Sequence, residues 1–317
     1  MTTETLDLRI SAVTREAADV IAIRLEHHEG RRLPRWEAGA HVEFFLPSGR
    51  IRHYSLCGDP NESMGYTVAV LREAAGRGGS QELHDIARPG LPLRVSVPRN
   101  RFPLEPASSY LFIAGGIGIT PLLPMMRVAA AAGTPWHLIY GGRTASAMAF
   151  AQELHEWKPA QVSLYMDDGN GRPDLAQALK GLPDTVKVYA CGPEPMLDVV
   201  GRLMQETLCE ASLHTERFSA PQNAIDRGGE SFDVELARSG AMISIGPAET
   251  ILDAVRAVSP TVPFSCEEGY CGTCETPVLD GVPDHRDSYL TEDERASNDT
   301  ILICVSRSRS ARLVLDL

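Results

Sequence analysis

The segment Cys266-Glu-Glu-Gly-Tyr-Cys-Gly-Thr-Cys274, together with the distant Cys304, decides the organisation of this chain. Four, two and 29 residues separate its successive cysteines, which are Cys266, Cys271, Cys274 and Cys304. This is the ligand spacing of a plant-type [2Fe-2S] cluster, in which one short loop presents three thiolates and a distant segment supplies the fourth. Gly269 and Gly272 are small enough to relieve crowding and to let backbone N–H groups point at sulfur. The pattern predicts a protein that carries single electrons.

Two other interpretations of the cysteines fit less well. A structural zinc site favours paired Cys-x2-Cys knuckles rather than a single loop with three cysteines. A disulfide framework does not suit a 317-residue chain with seven cysteines and a polar Met-Thr-Thr-Glu start. We therefore expect a reduced, cytoplasmic protein in which Cys57 and Cys209 are packed thiols.

Length, composition and charge exclude several classes of protein. A chain of 317 residues predicts two or three domains, each with its own core. No stretch approaches the roughly 18 to 20 apolar residues that cross a bilayer, so we expect no membrane segment. The formal net charge of −12 disfavours binding to nucleic acid, whose phosphates would be repelled. An acidic face would suit a basic protein partner, although the same charge is equally consistent with plain solubility.

Three patterns follow one another along the chain, and they predict three domains at 1–105, 106–222 and 232–317, with a linker at 223–231. The first reads as β-strands punctuated by Gly and Pro, at 8–12, 20–25, 41–46, 52–56, 66–72 and 93–97, which predicts a barrel or sandwich. The second alternates strands with helices at 122–131, 147–157, 175–180 and 194–206, which predicts a doubly wound parallel sheet. The third begins with a hairpin and contains Thr291-x-x-Glu294, a capping box that predicts a helix start.

Two glycine-rich turns of the second region fall at the ends of predicted strands. The run Gly116-Ile-Gly-Ile-Thr-Pro121 follows a strand and opens a helix, where a dinucleotide phosphate would meet the positive helix end. It departs from the Gly-x-Gly-x-x-Gly fingerprint, and the acidic residue that binds a ribose is absent after the next strand. The run Cys191-Gly-Pro193 ends the fourth strand at the same sheet edge. Together they predict a nucleotide cleft, although tight structural turns remain an alternative.

The first region carries Arg52-His-Tyr-Ser55 on a strand. Alternation places Arg52 and Tyr54 on one face, where arginine suits a phosphate and the tyrosine ring suits a flat aromatic ligand. The later turn Gly78-Gly-Ser80 opens a helix that would cradle the same phosphate. The alternative is an ordinary strand and turn.

The order of these parts resembles the phthalate dioxygenase reductase family over essentially the whole chain. The resemblance implies a flavin-binding antiparallel β-barrel carrying FMN, an α/β nucleotide domain and an α+β ferredoxin domain with the β-grasp fold. It implies an NADH-dependent reductase that serves a terminal Rieske oxygenase and is monomeric. The short connection from barrel to sheet leaves no obvious adenosine clamp, so FMN is preferred to FAD.

The resemblance also implies roles for individual residues. Those expected to hold the flavin are Arg52, His53, Tyr54, Ser55, Val70, Leu71, Arg72, Gly78, Gly79 and Ser80. Those expected to hold the nucleotide are Gly116, Gly118, Ile119, Thr120, Arg143, Cys191, Gly192 and Pro193. Those expected to take part in the redox step are Ser55, Thr120, Cys191 and Phe218. Phe218 would shield the flavin until nicotinamide enters, or else anchor a domain interface.

The predicted carriers complement one another chemically. NADH donates two electrons as a hydride, whereas the cluster accepts one at a time, and a flavin can mediate between them. Arg143, with Thr144 and Ser146, would also permit NADPH, so an NADPH-preferring reductase serving another acceptor is the alternative. Two further alternatives are a passive electron carrier and a zinc-stabilised interaction protein. The organic substrate belongs to the oxygenase and leaves no trace in this sequence.

Overall fold

The computed structural model describes residues 4–74, 78–158, 161–169, 171–206, 211–218 and 229–317. It divides into two compact units, Met1–Phe218 and Ser219–Leu317. Cys209 and residues 223–228 of the predicted linker lie outside the described residues, so the predicted domain boundaries stay predictions. Among the described helices, none has both the length and the apolar character that a membrane crossing requires.

The first part of unit Met1–Phe218 is an antiparallel sheet of seven strands in the order β4-β3-β6-β1-β2-β5, with β7 paired to β3. A bridge between Leu56 and Val68 joins the two ends of this order and closes the sheet into a barrel. Apolar side chains of alternate residues fill its interior, including Ile23, Phe44 and Val95. Its elements are β1 (Thr5–Ala17), β2 (Val20–His27), β3 (Ala40–Phe45), β4 (Ile51–Ser55), β5 (Gly65–Leu71), α1 (Gly79–Ile86), β6 (Pro92–Ser96) and β7 (Arg99–Asn100).

The second part of the same unit is a five-stranded sheet in the order β10-β9-β8-β11-β12. All four strand pairs are parallel, as expected of a doubly wound fold. The carboxyl ends of its strands therefore share one edge. Its elements are β8 (Ser109–Gly115), α2 (Ile119–Ala131), β9 (Trp136–Gly142), α3 (Ala151–Leu154), β10 (Val162–Met166), α4 (Leu175–Leu179), β11 (Val186–Cys191), α5 (Glu194–Glu206) and β12 (Ser212–Glu216).

The predicted helix at 147–157 is wrong in length. Residues Ala145–Ala147 form a 3-10 turn, and Phe150 adopts a left-handed backbone with φ of 60°. A left-handed residue interrupts an α-helix, so only Ala151–Leu154 is α-helical. A 3-10 turn and further turn residues therefore replace the first four residues of the expected helix.

The unit Ser219–Leu317 is a mixed sheet in the order β14-β13-β19-β15-β17, in which only β13 and β19 are parallel among the described pairs. Helix α6 buries Ile251, Leu252 and Val255 in the core of this unit. The capping box at Thr291 is confirmed. The elements are β13 (Phe232–Leu236), β14 (Ala241–Ile245), α6 (Ile251–Val258), β15 (Glu275–Asp280), β16 (Pro283–Asp284), α7 (Glu292–Ser297), β17 (Thr300–Leu302), β18 (Arg307–Ser308) and β19 (Arg312–Leu315).

One hydrophobic core spans the barrel and the parallel sheet of the first unit. Val20, Cys57 and Phe102 from the barrel side belong to the same cluster as Phe112 and Met125 from the sheet side. Close-packed interiors transmit displacement rather than absorbing it. The barrel and the parallel sheet are consequently packed together within this unit.

Candidate functional site

The four predicted cluster ligands converge in the second unit. Cys266, Cys274 and Cys304 are buried and Cys271 is partly buried. Hydrogen bonds from the Cys271 and Cys304 thiols lower the pKa of Cys266, and the bonds of Cys304 to Cys266 and Cys274 raise the pKa of Cys304. Sulfurs this close cannot all ionise without a cation between them, because neighbouring thiolates repel. The donor set therefore fits a positively charged iron core.

Polar groups of the loop already point at the sulfurs. The backbone N–H of Glu268 donates to Sγ of Cys266 at 3.3 Å, and the N–H of Cys266 donates to Sγ of Cys271 at 3.4 Å. The Cys271 sulfur lies 3.3 Å from Oγ1 of Thr273. Such hydrogen bonds stabilise thiolate ligands and tune the reduction potential of a cluster.

Gly269 and Gly272 serve packing behind the cysteine loop. Both adopt a left-handed backbone, with φ of 75° and 74°. A Cβ at Gly269 would stand 2.6 Å from a methyl carbon of Val305, and one at Gly272 would overlap the ring of Tyr289. The two glycines therefore let the loop lie against the segment that carries Tyr289, in addition to the role predicted for them around the sulfurs.

The four cysteine sulfurs match in number the protein ligands of a [2Fe-2S] cluster. The thiols form a continuous series of contacts, from Cys271 to Cys266, from Cys266 to Cys304 and from Cys304 to Cys274. Each iron of a [2Fe-2S] cluster takes two protein ligands.

The residues predicted to hold the flavin phosphate lie where β4 meets helix α1. A Cβ at Gly79 would stand 2.7 Å from Cγ of Arg52, so the absence of a side chain lets the arginine lie across the helix start. Gly78, with φ of 80°, precedes the first turn of this eight-residue helix. A helix N-terminus beside an arginine is suited to a phosphate. These residues fit the phosphate end of FMN.

Tyr54 lies on the same strand as Arg52. Its ring packs edge-on against Phe44 at a centroid distance of 5.0 Å. Burial raises the pKa of its hydroxyl above the usual range, so the ring is neutral. A neutral aromatic ring in this position fits contact with a flavin ring.

Ser55 connects the barrel to the parallel sheet through Glu216, a residue that the sequence analysis missed. The Ser55 hydroxyl donates to Oε2 of Glu216 at 3.4 Å. Burial raises the pKa of Glu216 to about 8, partly opposed by this hydrogen bond. The residue keeps some exposed surface, but its carboxyl group is enclosed by protein. Its position at the carboxyl end of β12, two residues before Phe218, was the available signal.

The two glycine-rich turns of the sheet edge touch each other. A Cβ at Gly118 would stand 2.7 Å from the N atom of Gly192 and closer still to the Cys191 carbonyl. Position 118 must therefore be glycine, because any side chain would collide with the Cys191–Gly192 backbone. Gly116 has φ of 53°, and no described atom lies within 4 Å of its built Cβ. The open backbone that a nucleotide phosphate can approach is consequently at Gly116.

Cys191 and Thr120 are enclosed at this edge. Cys191 is fully buried, and burial raises the pKa of its thiol well above the ordinary value. The thiol is therefore neutral. The Thr120 hydroxyl donates to the carbonyl of Ile117 at 3.0 Å, which closes the turn. Ile119 is buried in the shared core, so its side chain packs the turn against the sheet.

Several predicted flavin ligands present their side chains elsewhere. His53 lies 3.7 Å from the buried carboxylate of Glu43, and Val70 is buried in the barrel core. Arg72 pairs with Asp85 at 3.1 Å. Strand alternation explains the placement of His53 and Val70, because successive side chains of a strand point to opposite faces of the sheet. His53 therefore points away from the face of Arg52 and Tyr54, and Val70 points into the barrel. Contacts of His53 and Val70 with a flavin would have to be made by their backbone atoms.

The remaining predicted residues lie near the site or at its rim. Leu71 and Phe218 are partly buried against the shared core. The Ser80 hydroxyl accepts from the backbone N–H of Glu73 at 3.1 Å, and Pro193 packs beside Gly115. Arg143 is exposed after β9.

Comparison with known proteins identifies parts and relatives of the chain. Residues 112–202 match the oxidoreductase NAD-binding domain, and residues 234–309 match the 2Fe-2S iron-sulfur cluster binding domain. The chain is 42% identical to the phenoxybenzoate dioxygenase subunit beta of Ectopseudomonas oleovorans, over 98% of this chain and 97% of that protein.

Two solved structures resemble the whole chain. The structure of phthalate dioxygenase reductase, described as modular for electron transfer from pyridine nucleotides to [2Fe-2S], is 38% identical with a TM-score of 0.75, covering 99% of this chain and 98% of that one. An intact type IV self-sufficient cytochrome P450 monooxygenase is also 38% identical, with a TM-score of 0.88 over 100% of this chain. The match spans 42% of that longer chain.

Proposed function

Because the chain belongs to the phthalate dioxygenase reductase family, we propose that it is the NADH-dependent reductase component of a two-component Rieske-type oxygenase. Electrons would pass from NADH through FMN to a [2Fe-2S] cluster, and then singly to the oxygenase. The observation that carries the proposal is the hydrogen bond from Ser55 to Glu216. It joins the strand of the anion site to the edge of the nucleotide sheet, so the two predicted redox partners meet within one unit.

A bound flavin supplies the conversion of a two-electron hydride into single-electron transfers, which neither nicotinamide nor cluster makes alone. The protein's own residues provide binding and surroundings. Arg52 and the start of α1 would hold the phosphate, and Tyr54 would hold the ring. The open turn at Gly116 would admit the nucleotide phosphates.

Two side chains enclosed at the carboxyl edge of the sheet, Glu216 and Cys191, are uncharged at neutral pH. The Glu216 carboxyl has a pKa of about 8 and is therefore mostly protonated at neutral pH, and the buried Cys191 thiol is protonated as well because burial raises its pKa. Enclosure by uncharged groups favours direct transfer of a hydride over side reactions with solvent.

We infer NADH rather than NADPH from charge at the adenosine end. Arg143 follows β9, but Asp167 and Asp168 follow the neighbouring strand β10, where the N–H of Asp168 donates to the Arg143 carbonyl at 3.4 Å. The Asp168 carboxylate there offsets the positive charge that would attract a 2′-phosphate, whereas Asp167 is paired with Arg172 at 3.1 Å. A preference for NADPH of about tenfold or more in steady-state reduction would overturn this inference.

The function is tested by anaerobic titration of the purified, iron-replete protein with NADH. We expect a visible spectrum with flavin and iron–sulfur bands, bleaching of both by NADH, and acid-labile sulfide with iron on analysis. A flavin band that NADH leaves unchanged would support the passive carrier instead. A colourless protein containing zinc would support the interaction protein. The monomeric state, the cytoplasmic location and the oxygenase partner stay predictions, and reconstitution with candidate oxygenases tests the last.

A further inference from the structure

We propose that Arg127 is a positioning residue for hydride transfer, because its guanidinium fixes the nucleotide helix α2 to the chain leaving the flavin strand β4. This inference rests on the proposed function. Nη1 of Arg127 donates to the carbonyl oxygens of Cys57 at 2.6 Å and Gly58 at 2.8 Å. Nη2 pairs with the carboxylate of Glu153 in α3. One side chain thus joins the barrel to two elements of the nucleotide part.

Cys57 and Arg127, the two ends of this hydrogen-bonded connection, lie close in sequence to residues predicted to contact the flavin and the nucleotide. Cys57 follows Ser55 by two residues, and Arg127 follows Thr120 by seven, about two helical turns. The barrel segment between Ser55 and Cys57 is tied to neighbouring strands. Backbone hydrogen bonds hold Leu56 to Ala40 and Cys57 to the Thr67 carbonyl, each at 2.8 Å. A shift at Arg127 is therefore passed on to the flavin strand and to the nucleotide turn.

The hydrogen bonds of Arg127 set the orientation of α2 relative to β4, whereas the shared hydrophobic core holds the barrel and the sheet together. Cys57 packs in the core that joins the barrel to the sheet, and α2 buries Met125 and Met126 in the same core. These apolar contacts are independent of the guanidinium. The core resists separation, but its contacts carry no direction. Two hydrogen bonds to consecutive carbonyls are directional, and so they select one docking of α2 on β4.

Hydride transfer is sensitive to such alignment. Reacting atoms must approach to about 3–3.5 Å, and a misplacement of about 1 Å can cost about a hundredfold in rate. Loss of the Arg127 contact frees the two carbonyls and leaves Glu153 without its partner. We expect the angle between α2 and β4 to relax, which lengthens the hydride path without removing either binding site.

The experiment compares the full-length, FMN-loaded and cluster-loaded protein with Arg127→Met, Arg127→Lys and Glu153→Gln. Anaerobic stopped-flow mixing with NADH measures the limiting rate of flavin bleaching and the half-saturating NADH concentration. NADH deuterated at the transferred position gives the isotope effect. Glu153→Gln is the matched control, because it removes the charge partner and keeps the bonds to both carbonyls.

We expect Arg127→Met to lower the limiting rate by about tenfold or more, with flavin content and half-saturation within about threefold and an increased isotope effect. Lysine reaches a carbonyl with a single ammonium, so Arg127→Lys should recover part of the rate, and Glu153→Gln should stay within about twofold of wild type. A fully active Arg127→Met would overturn the proposal.

If Arg127→Met loses its flavin or its fold, Arg127→Lys decides, and a lysine variant with wild-type rate and isotope effect would then refute the positioning role. A wild-type protein whose flavin is not reduced by NADH would instead refute the proposed function, which distinguishes the two failures.

Discussion

Replacing Glu216 by Gln should remove a pH-dependent loss of stability from the unit Met1–Phe218. Burial raises the pKa of this carboxyl from 4.5 to about 8 in the folded protein. A raised folded pKa means that the folded state binds the proton more tightly than the unfolded chain does. The associated stability is therefore fully present below pH 4.5 and is lost as the pH rises through 8. Glutamine keeps the size and polarity of the protonated acid but cannot ionise.

The size of the effect follows from the two pKa values. A separation of about 3.5 pH units corresponds to about 5 kcal/mol in the free energy of unfolding. Because Glu216 keeps some exposed surface, solvent screening reduces the expected value to about 2 to 3 kcal/mol. For a unit of this size each kcal/mol shifts the melting temperature by about 2 to 4 °C. Between pH 5 and pH 9 the wild type should therefore lose about 4 to 12 °C more than Glu216→Gln.

Tryptophan fluorescence isolates the relevant transition, because all three tryptophans, Trp36, Trp136 and Trp157, lie in this unit. Melting curves of the full-length protein would be recorded at half-unit pH steps. Exposed Glu156→Gln is the control for removing a carboxylate as such, and its profile should follow the wild type. If the wild-type and Glu216→Gln curves ran parallel across this range, the assignment of a buried, protonated Glu216 would be wrong.

Three substitutions test other parts of the molecule. Gly79→Ala should displace the Arg52 side chain and weaken FMN binding by about tenfold in a fluorescence titration, which corresponds to the loss of one charge-assisted hydrogen bond. The control is Gly201→Ala in helix α5, which should leave FMN binding unchanged because no described atom lies within 4 Å of its built Cβ. Gly118→Ala should force apart the two touching turns and destabilise the first unit by about 1 to 3 kcal/mol in tryptophan-monitored melting, and an unchanged melting temperature would contradict the contact. Thr291→Ala removes the capping box of α7 and should cost about 1 kcal/mol, seen as earlier thermal bleaching of the cluster absorbance with flavin reduction unaffected.

Local patterns in the sequence were sufficient for much of the fold. Patterns among neighbouring residues predict the strands of the barrel, the alternation of strands and helices in the nucleotide part and the capping box at Thr291. The structure confirms all three. The prediction of a helix at 147–157 was wrong because Phe150 adopts a left-handed backbone, which is uncommon for phenylalanine and could not be predicted from the sequence. Strand alternation was read for Arg52 and Tyr54 but was not applied to His53, whose side chain faces Glu43.

The sequence by itself determined the chemistry of the carriers. Cysteine spacing, glycine-rich turns at strand ends and a strand with arginine and tyrosine are short-range patterns, because each ligand type requires specific residues within one loop or strand. Only the tertiary structure decided which groups stand between the carriers. Glu216 meets Ser55, and Arg127 meets the carbonyl of Cys57, across 161 and 70 residues of sequence. A pKa raised by burial and a directional contact between two elements depend on what the folded chain brings together, and no spacing along the sequence encodes that.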